Sequence, residues 1–194
     1  MKTVLVLPGW HHDPAEKRYT NIVEFFHAAG FDVRTHNPDW DKRNTSDWVN
    51  DLLADLPDDK SQLTLFGFSM GAMISLLAAT HIPVENLILC SPSGYFREYT
   101  LLLGDEDAKW AQDNIKDFEE LSVSSIFKQI KVQNGYILAG DREFKQWPDF
   151  EQWIGDLKMQ TNWPLTTIPD TGHEIEATGY QYAVANLIQQ LPHS

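Results

Sequence analysis

The stretch from Leu63 to Met73, LTLFGFSMGAM, decides how this chain folds. Its first residues have the apolar character of a buried strand, and the run from Met70 to Thr80 predicts a helix. Between them lies Gly-Phe-Ser-Met-Gly, the pattern of a sharp strand-to-helix turn that lifts a serine hydroxyl clear of a sheet. Glycines at positions 67 and 71 let strand and helix pack closely. We therefore predict that Ser69 is a nucleophile, and the alternative is a serine in an ordinary turn.

The composition is that of a globular protein, and it limits the classes of partner that the protein is expected to bind. The 194 residues can bury a substantial core, and a formal net charge of −13 argues against binding to nucleic acid or to anionic membranes. Cys90 is the single cysteine, which excludes an internal disulfide and is typical of a reducing compartment. The sequence shows neither a signal peptide nor an apolar run of membrane length. We predict a cytoplasmic protein without membrane insertion.

Strand-like and helix-like patterns alternate along the whole chain. The strand-like runs are mostly continuous apolar stretches, at residues 3–7, 31–35, 63–68, 86–90, 135–139 and 165–168. Helical patterns lie between them, with Thr45 or Ser46 as the predicted cap of the second helix. This alternation predicts an α/β protein with a doubly wound, mostly parallel six-stranded sheet, helices on both faces and the strand order 2-1-3-4-5-6.

Predicted loop segments follow several of these strands. They contain Gly9-Trp10, Ser69, residues 141–143 and Gly172-His173. Because the carboxyl ends of parallel strands meet at one edge of a sheet, we expect these segments to lie close together. His173 alone among the histidines lies in the loop between the last predicted strand and the last predicted helix, which makes it the predicted general base for Ser69. The alternative is a surface histidine.

With these features, the sequence resembles that of the α/β-hydrolase superfamily. The motifs that carry the resemblance are Pro8-Gly9-Trp10, Phe68-Ser69-Met70-Gly71 and the later His173. The chain is similar to compact serine hydrolases of the retinoblastoma-binding protein 9 type and to small carboxylesterases. The resemblance implies a single α/β-hydrolase domain over residues 1–194 that needs no metal ion and no other cofactor.

A histidine base needs a carboxylate on its Nδ1 atom, which fixes the tautomer and stabilises the imidazolium. Two candidates follow the fifth predicted strand, Asp141 and Glu143. In the superfamily the acid commonly stands three residues after the glycine that is Gly140 here, which favours Glu143. Asp141 is the more usual residue type, and the order of serine, acid and histidine along the chain permits either. Both remain candidates.

An oxyanion hole needs two backbone N–H donors. The N–H of Met70, next to the nucleophile, is the first candidate. The family pattern implies that the N–H of Trp10, in the loop after the first strand, is the second. The side chain of Trp10 is a further candidate for a wall of the substrate pocket.

Residues 91–131 form a long insertion between the fourth and fifth predicted strands. Apolar residues recur at helical spacings within it, among them Trp110, Ala111, Ile115 and Leu121. We predict a small, partly helical lid over Ser69, and the alternative is a segment that simply packs on the sheet. We expect the acidic residues of this segment, including Asp117, on its solvated surface.

Together these residues predict a serine hydrolase that cleaves small or medium carboxylic esters through an acyl-enzyme. Its partner would be a small-molecule ester or thioester. A thioesterase that uses the same residues is one alternative. The other is a protein-interaction module that keeps the scaffold without turnover, since a fold alone does not determine function.

Overall fold

A parallel β-sheet lies at the centre of the computed structural model, which describes residues 2–99 and 105–191. Its strands in this described part are β1 (Thr3–Leu7), β2 (Asp32–Thr35), β3 (Leu63–Phe68), β4 (Val84–Cys90), β5 (Val132–Gly140) and β6 (Leu165–Ile168). They are arranged in the order β2-β1-β3-β4-β5-β6, and every neighbouring pair is parallel. The predicted fold class and strand order are confirmed, and β3 lies in the interior of the sheet.

The helices of the described residues connect these strands. They are α1 (Lys17–Ala28), α2 (Thr45–Ala54), α3 (Met70–His81), α4 (Asp105–Asn114), α5 (Val123–Gln129), α6 (Asp141–Gln146), α7 (Pro148–Thr161) and α8 (Thr178–Gln190). Helix α6 replaces the loop that the sequence predicted directly after β5. Strand β5 also begins earlier than predicted, because Val132 pairs with Val84 of β4. Within residues 2–99 and 105–191, each helix is shorter or more polar than a membrane span requires.

Two apolar layers cover the two faces of the sheet, because successive side chains of a strand point in opposite directions. Leu5 and Leu7 belong to the layer that contains apolar residues of α2, α3 and α7. Val4 and Val6 belong to the opposite layer, formed with α1 and α8. Helix α3 is buried from Met70 to Ala79, which explains why its sequence is apolar nearly all round.

The N-terminus of α2 differs from the prediction in its cap. Asn44 is the capping residue, and its side chain accepts a hydrogen bond from the Ser46 N–H at 2.9 Å. Asp117 of the insertion also binds here: its carboxylate accepts from the Thr45 N–H at 2.9 Å and from the Thr45 hydroxyl at 2.6 Å. Asp117, expected on the solvated surface, is half-buried and hydrogen-bonded to α2. Thr45 is buried, and the carboxylate is the acceptor for its polar groups.

The described part of the insertion contains α4, the short 3-10 helix at residues 118–120 and α5. The Trp110 ring of α4 packs on Trp10 at 5.3 Å and on Tyr95 at 4.9 Å between ring centroids. Ala111 and Ile115 are fully buried. The apolar run Leu101–Leu103, which the sequence assigned to the lid, lies outside the described residues. The insertion thus contacts the loop that follows β1.

Candidate active site

Ser69 stands between β3 and α3 in a strained backbone conformation. Its φ is 55° and its ψ is −121°, a region that residues with a side chain rarely adopt. The flanking glycines are required by close backbone approaches. A Cβ atom on Gly71 would lie 2.6 Å from the carbonyl oxygen of Leu7, and one on Gly67 would lie 2.5 Å from the nitrogen of Ala72. The local sequence therefore folds into the sharp turn that the motif predicted.

The side chains of Ser69, His173 and Glu143 form one hydrogen-bonded chain. The Ser69 Oγ atom is 2.9 Å from His173 Nε2, and His173 Nδ1 is 2.7 Å from Glu143 Oε1. Because a carboxylate can only accept, the imidazole proton is assigned to Nδ1, and Nε2 is then free to accept the serine proton. The His173 side chain is 32% exposed, whereas Glu143 is fully buried. This arrangement can remove a proton from a serine hydroxyl.

The two candidate acids occupy different environments. Glu143 Oε2 accepts hydrogen bonds from the Gly140 N–H at 2.7 Å and from the Ser91 hydroxyl at 2.6 Å. Asp141 instead accepts from the Thr171 N–H at 3.3 Å, and none of its described hydrogen bonds involves His173. Both residues lie in α6, where two positions correspond to a rotation of about 200° around the helix axis. The helix therefore separates the two carboxylates.

Ser91 and Tyr180 extend the hydrogen bonding behind Glu143. Ser91 directly follows β4, is fully buried and has a positive φ of 44°. Its Oγ atom is 2.7 Å from the Tyr180 hydroxyl, which also lies 3.0 Å from the Leu138 carbonyl oxygen. Burial raises the pKa of Tyr180 well above its ordinary value, so the phenol stays neutral and can donate. Neither contact was predictable from the sequence, because no local pattern indicates a contact between residues this far apart.

The candidate oxyanion donors lie in two segments that the sheet brings side by side. Leu7 of β1 pairs with Gly67 of β3, so the loop after β1 adjoins the turn at Ser69. A Cβ atom on Gly9 would lie 3.4 Å from Ser69 Cβ. Met70 is the first residue of α3, where a helical N–H has no acceptor within its own helix. Within the described residues, the Trp10 N–H likewise makes no hydrogen bond to a protein acceptor.

A cavity of about 250 Å³ opens beside Ser69 and His173. Its wall comes from the segment after β4 and from the junction of α6 and α7, and it includes Pro92, Gly94, Tyr95, Trp147, Asp149 and Phe150. The Trp147 ring stands edge-on to the imidazole of His173, with 5.7 Å between ring centroids. Among the described residues no group of three or more His, Cys, Asp or Glu side chains could hold a metal ion. The cavity, lined by both polar and apolar side chains, suits a small group of a substrate.

Solved structures resemble this fold across nearly its whole length. Est1E from Butyrivibrio proteoclasticus superposes with a TM-score of 0.76 at 16% identity, covering 98% of this chain and 88% of its own. The ydeN gene product from B. subtilis gives 0.75 at 15% identity, covering 98% of both chains. Alpha/beta hydrolase domain-containing protein 10 from mouse gives 0.69 at 15% identity, with 97% and 88% covered. Identities this low establish a shared fold alone.

The family follows from the sequence itself. A comparison with curated protein sequences gives no significant match. A family model described as Serine hydrolase matches residues 4–130, which is more than half of the chain. These residues include most of β1, the loop that follows it and the turn at Ser69. The chain therefore belongs to the serine hydrolase family and is a hydrolase built on the α/β-hydrolase fold.

Proposed function

We propose that this enzyme cleaves small carboxylic esters through an acyl-enzyme formed on Ser69. In this proposal His173 is the general base and acid, and Glu143, rather than Asp141, is the carboxylate that orients it. The observation that carries the proposal is the continuous chain from Ser69 Oγ through the imidazole to a fully buried carboxylate, with steps of 2.9 and 2.7 Å. A buried glutamate that accepts several hydrogen bonds is suited to orient an imidazole ring and to stabilise its protonated form.

The reaction would follow from these contacts in two half-reactions. Ser69 Oγ attacks the ester carbonyl carbon while its proton passes to His173 Nε2. The carbonyl oxygen becomes an oxyanion and accepts hydrogen bonds from the N–H groups of Met70 and Trp10. When the tetrahedral intermediate collapses, the C–O bond breaks and His173 returns the proton to the leaving alcohol. Water then repeats the sequence on the acyl-enzyme and releases the carboxylic acid.

The cavity beside the nucleophile supports a small substrate. Its volume of about 250 Å³ is below the usual range of about 300–1,000 Å³ for pockets that hold drug-sized ligands. Tyr95 from the insertion contributes to its wall and contacts Trp110 of α4. We therefore propose that residues 91–131 act as a lid that limits the size of the substrate.

The proposal is tested by steady-state hydrolysis of p-nitrophenyl esters with acyl chains from acetyl to decanoyl, beside the matching acyl thioesters. We expect the highest kcat/KM for short acyl esters, a decline with chain length, and no turnover by Ser69→Ala. Circular dichroism of Ser69→Ala checks that the variant is folded. Turnover of thioesters alone would favour the thioesterase alternative. A folded wild-type protein that turns over neither class would contradict the proposal.

A further inference from the structure

The loop after β1, residues 8–12, is held by a side chain outside it. A turn closes this β1 loop, with the His12 N–H donating to the Gly9 carbonyl oxygen at 3.0 Å and His11 at a positive φ of 54°. The Gly9 N–H donates to the Tyr19 hydroxyl oxygen at 2.8 Å. Tyr19 lies in α1 and is fully buried. A buried backbone N–H thus has a single side-chain oxygen as its partner.

His12 makes a second hydrogen bond to the same oxygen. Its Nδ1 atom is 3.0 Å from the Tyr19 hydroxyl, and its Nε2 atom is 3.2 Å from Arg18 Nη1. A guanidinium can only donate, so Nε2 accepts and the proton of the neutral imidazole lies on Nδ1. Burial, and then the charge of Arg18, lower the pKa of His12, which keeps the ring neutral. The Tyr19 oxygen therefore accepts from both the Gly9 N–H and the His12 ring.

Tyr19 is a suitable fixed point because its helix is packed against the sheet. Its ring belongs to the apolar layer that includes Ile22, Phe26 and Phe68. The His12 ring is stacked on Phe68, which directly precedes Ser69, at 6.4 Å between centroids. The peptide N–H that follows Gly9 is that of Trp10, the proposed second oxyanion donor. The position of Gly9 consequently determines the position of this donor relative to Ser69.

We propose that Tyr19 and His12 are positioning residues that hold the β1 loop so that the Trp10 N–H is directed at the developing oxyanion. This inference rests on the proposed esterase function. A hydrogen bond to the oxyanion forms in the transition state and is weaker in the ground state, so disturbing it lowers kcat while KM changes little. Substitution of a residue with a purely structural role would lower the stability of the protein without a selective fall in kcat at nearly constant KM.

The decisive variant is Tyr19→Phe, which removes one oxygen and keeps the ring. We expect kcat to fall about tenfold, less than the 10²–10³-fold cost of deleting an oxyanion donor, with KM within about twofold. The affinity for phenylboronic acid, which forms a tetrahedral adduct on a catalytic serine, should fall by the same factor as kcat/KM. Tyr136→Phe is the matched control, because Tyr136 is a half-buried tyrosine of β5 outside the site, and its kinetics should equal those of the wild type.

A second pair of variants keeps the inference testable if Tyr19→Phe does not fold. His12→Asn retains an N–H donor near the position of Nδ1, whereas His12→Leu does not. We expect His12→Asn to keep a kcat several-fold higher than that of His12→Leu. A folded Tyr19→Phe protein with wild-type kcat, or equal kcat in the two His12 variants, would overturn the inference. Failure of the proposed function would look different, because the wild-type enzyme itself would then show no ester turnover.

Discussion

Glu143 illustrates how single residues shape this site. A carboxylate that is removed from water is costly unless donors surround it. Its oxygens accept from the His173 ring, the Ser91 hydroxyl and the Gly140 N–H, which come from three different segments of the chain. The carboxylate therefore holds the imidazole in one orientation without being hydrated itself. Asp141, two residues away, is partly exposed and bonds to the backbone of the loop that leads to His173.

Substitution of Glu143 and of Asp141 compares the roles of the two carboxylates directly. Glu143→Gln keeps the volume but removes the charge that stabilises the imidazolium, so we expect kcat to fall about 10³–10⁴-fold. Asp141→Asn leaves the hydrogen-bonded chain intact, and we expect kcat to fall by less than about threefold, in line with the small effects of most substitutions outside such features. Steady-state kinetics on a short-chain ester measures both. Small and equal losses would contradict the role that we propose for Glu143.

Short motifs in the sequence indicated two members of the hydrogen-bonded chain and narrowed the third to two candidates. Ser69 follows from the turn signature and His173 from its place between the last strand and the last helix, whereas the family pattern only favoured Glu143 over Asp141. Ser91 and Tyr19 carry no such signature. Their contacts depend on which elements the fold brings together. In the sequence, a buried serine or tyrosine with such a contact cannot be distinguished from any other core residue. Local sequence thus predicts reacting groups better than the residues that support them.

Among the secondary-structure elements, α2 is held at its N-terminus by the insertion. The Asp117 carboxylate accepts from the N–H and hydroxyl of Thr45, and also from the N–H and hydroxyl of Ser46 at 3.2 Å each. A negative charge at this end of a helix also interacts favourably with the helix dipole. In addition, the Lys116 N–H donates to the Arg43 carbonyl oxygen at 2.8 Å. These contacts connect the proposed lid to the core of the protein.

We expect Asp117→Ala to lower the free energy of unfolding by about 1–2 kcal/mol, the usual cost of losing a helix cap together with its charge. The buried polar groups of Thr45 lose their acceptor in this variant. Asp113→Ala is the matched control, since Asp113 is an exposed acid of the same segment and its loss should cost less than about 0.5 kcal/mol. Urea unfolding curves give both values. Equal effects of the two substitutions would show that Asp117 is only a surface charge.

The elements that the sequence predicted well are those with long apolar patterns, such as β1, β3 and α3. Two others were missed or shortened for identifiable reasons. Helix α6 spans only Asp141–Gln146, too short for a helical period to be visible. Polar Gln133 and Asn134 stand near the start of β5, and the pairing of this part depends on β4 rather than on its own composition. The cap of α2 was misassigned because Asn44, Thr45 and Ser46 are all suitable capping residues by type.

For the molecule as a whole, parallel strand order is what assembles the site. The segments that follow β1, β3, β4, β5 and β6 all begin at the carboxyl edge of the sheet. Groups from distant parts of the sequence therefore meet there. Ser69 Oγ and His173 Nε2 come within 2.9 Å although more than a hundred residues separate them. This convergence was predictable from alternating elements and right-handed crossovers alone. The distances within the site required the packed structure.

The most direct test of the central claim, that Ser69 is a nucleophile activated by His173 and Glu143, is labelling with a fluorophosphonate probe followed by peptide mapping. We predict that the native enzyme is modified at Ser69. We predict no labelling of Ser69→Ala and markedly slower labelling of folded Glu143→Gln. Native protein that stays unlabelled, or that is labelled on another residue while Ser69 remains unmodified, would contradict the account.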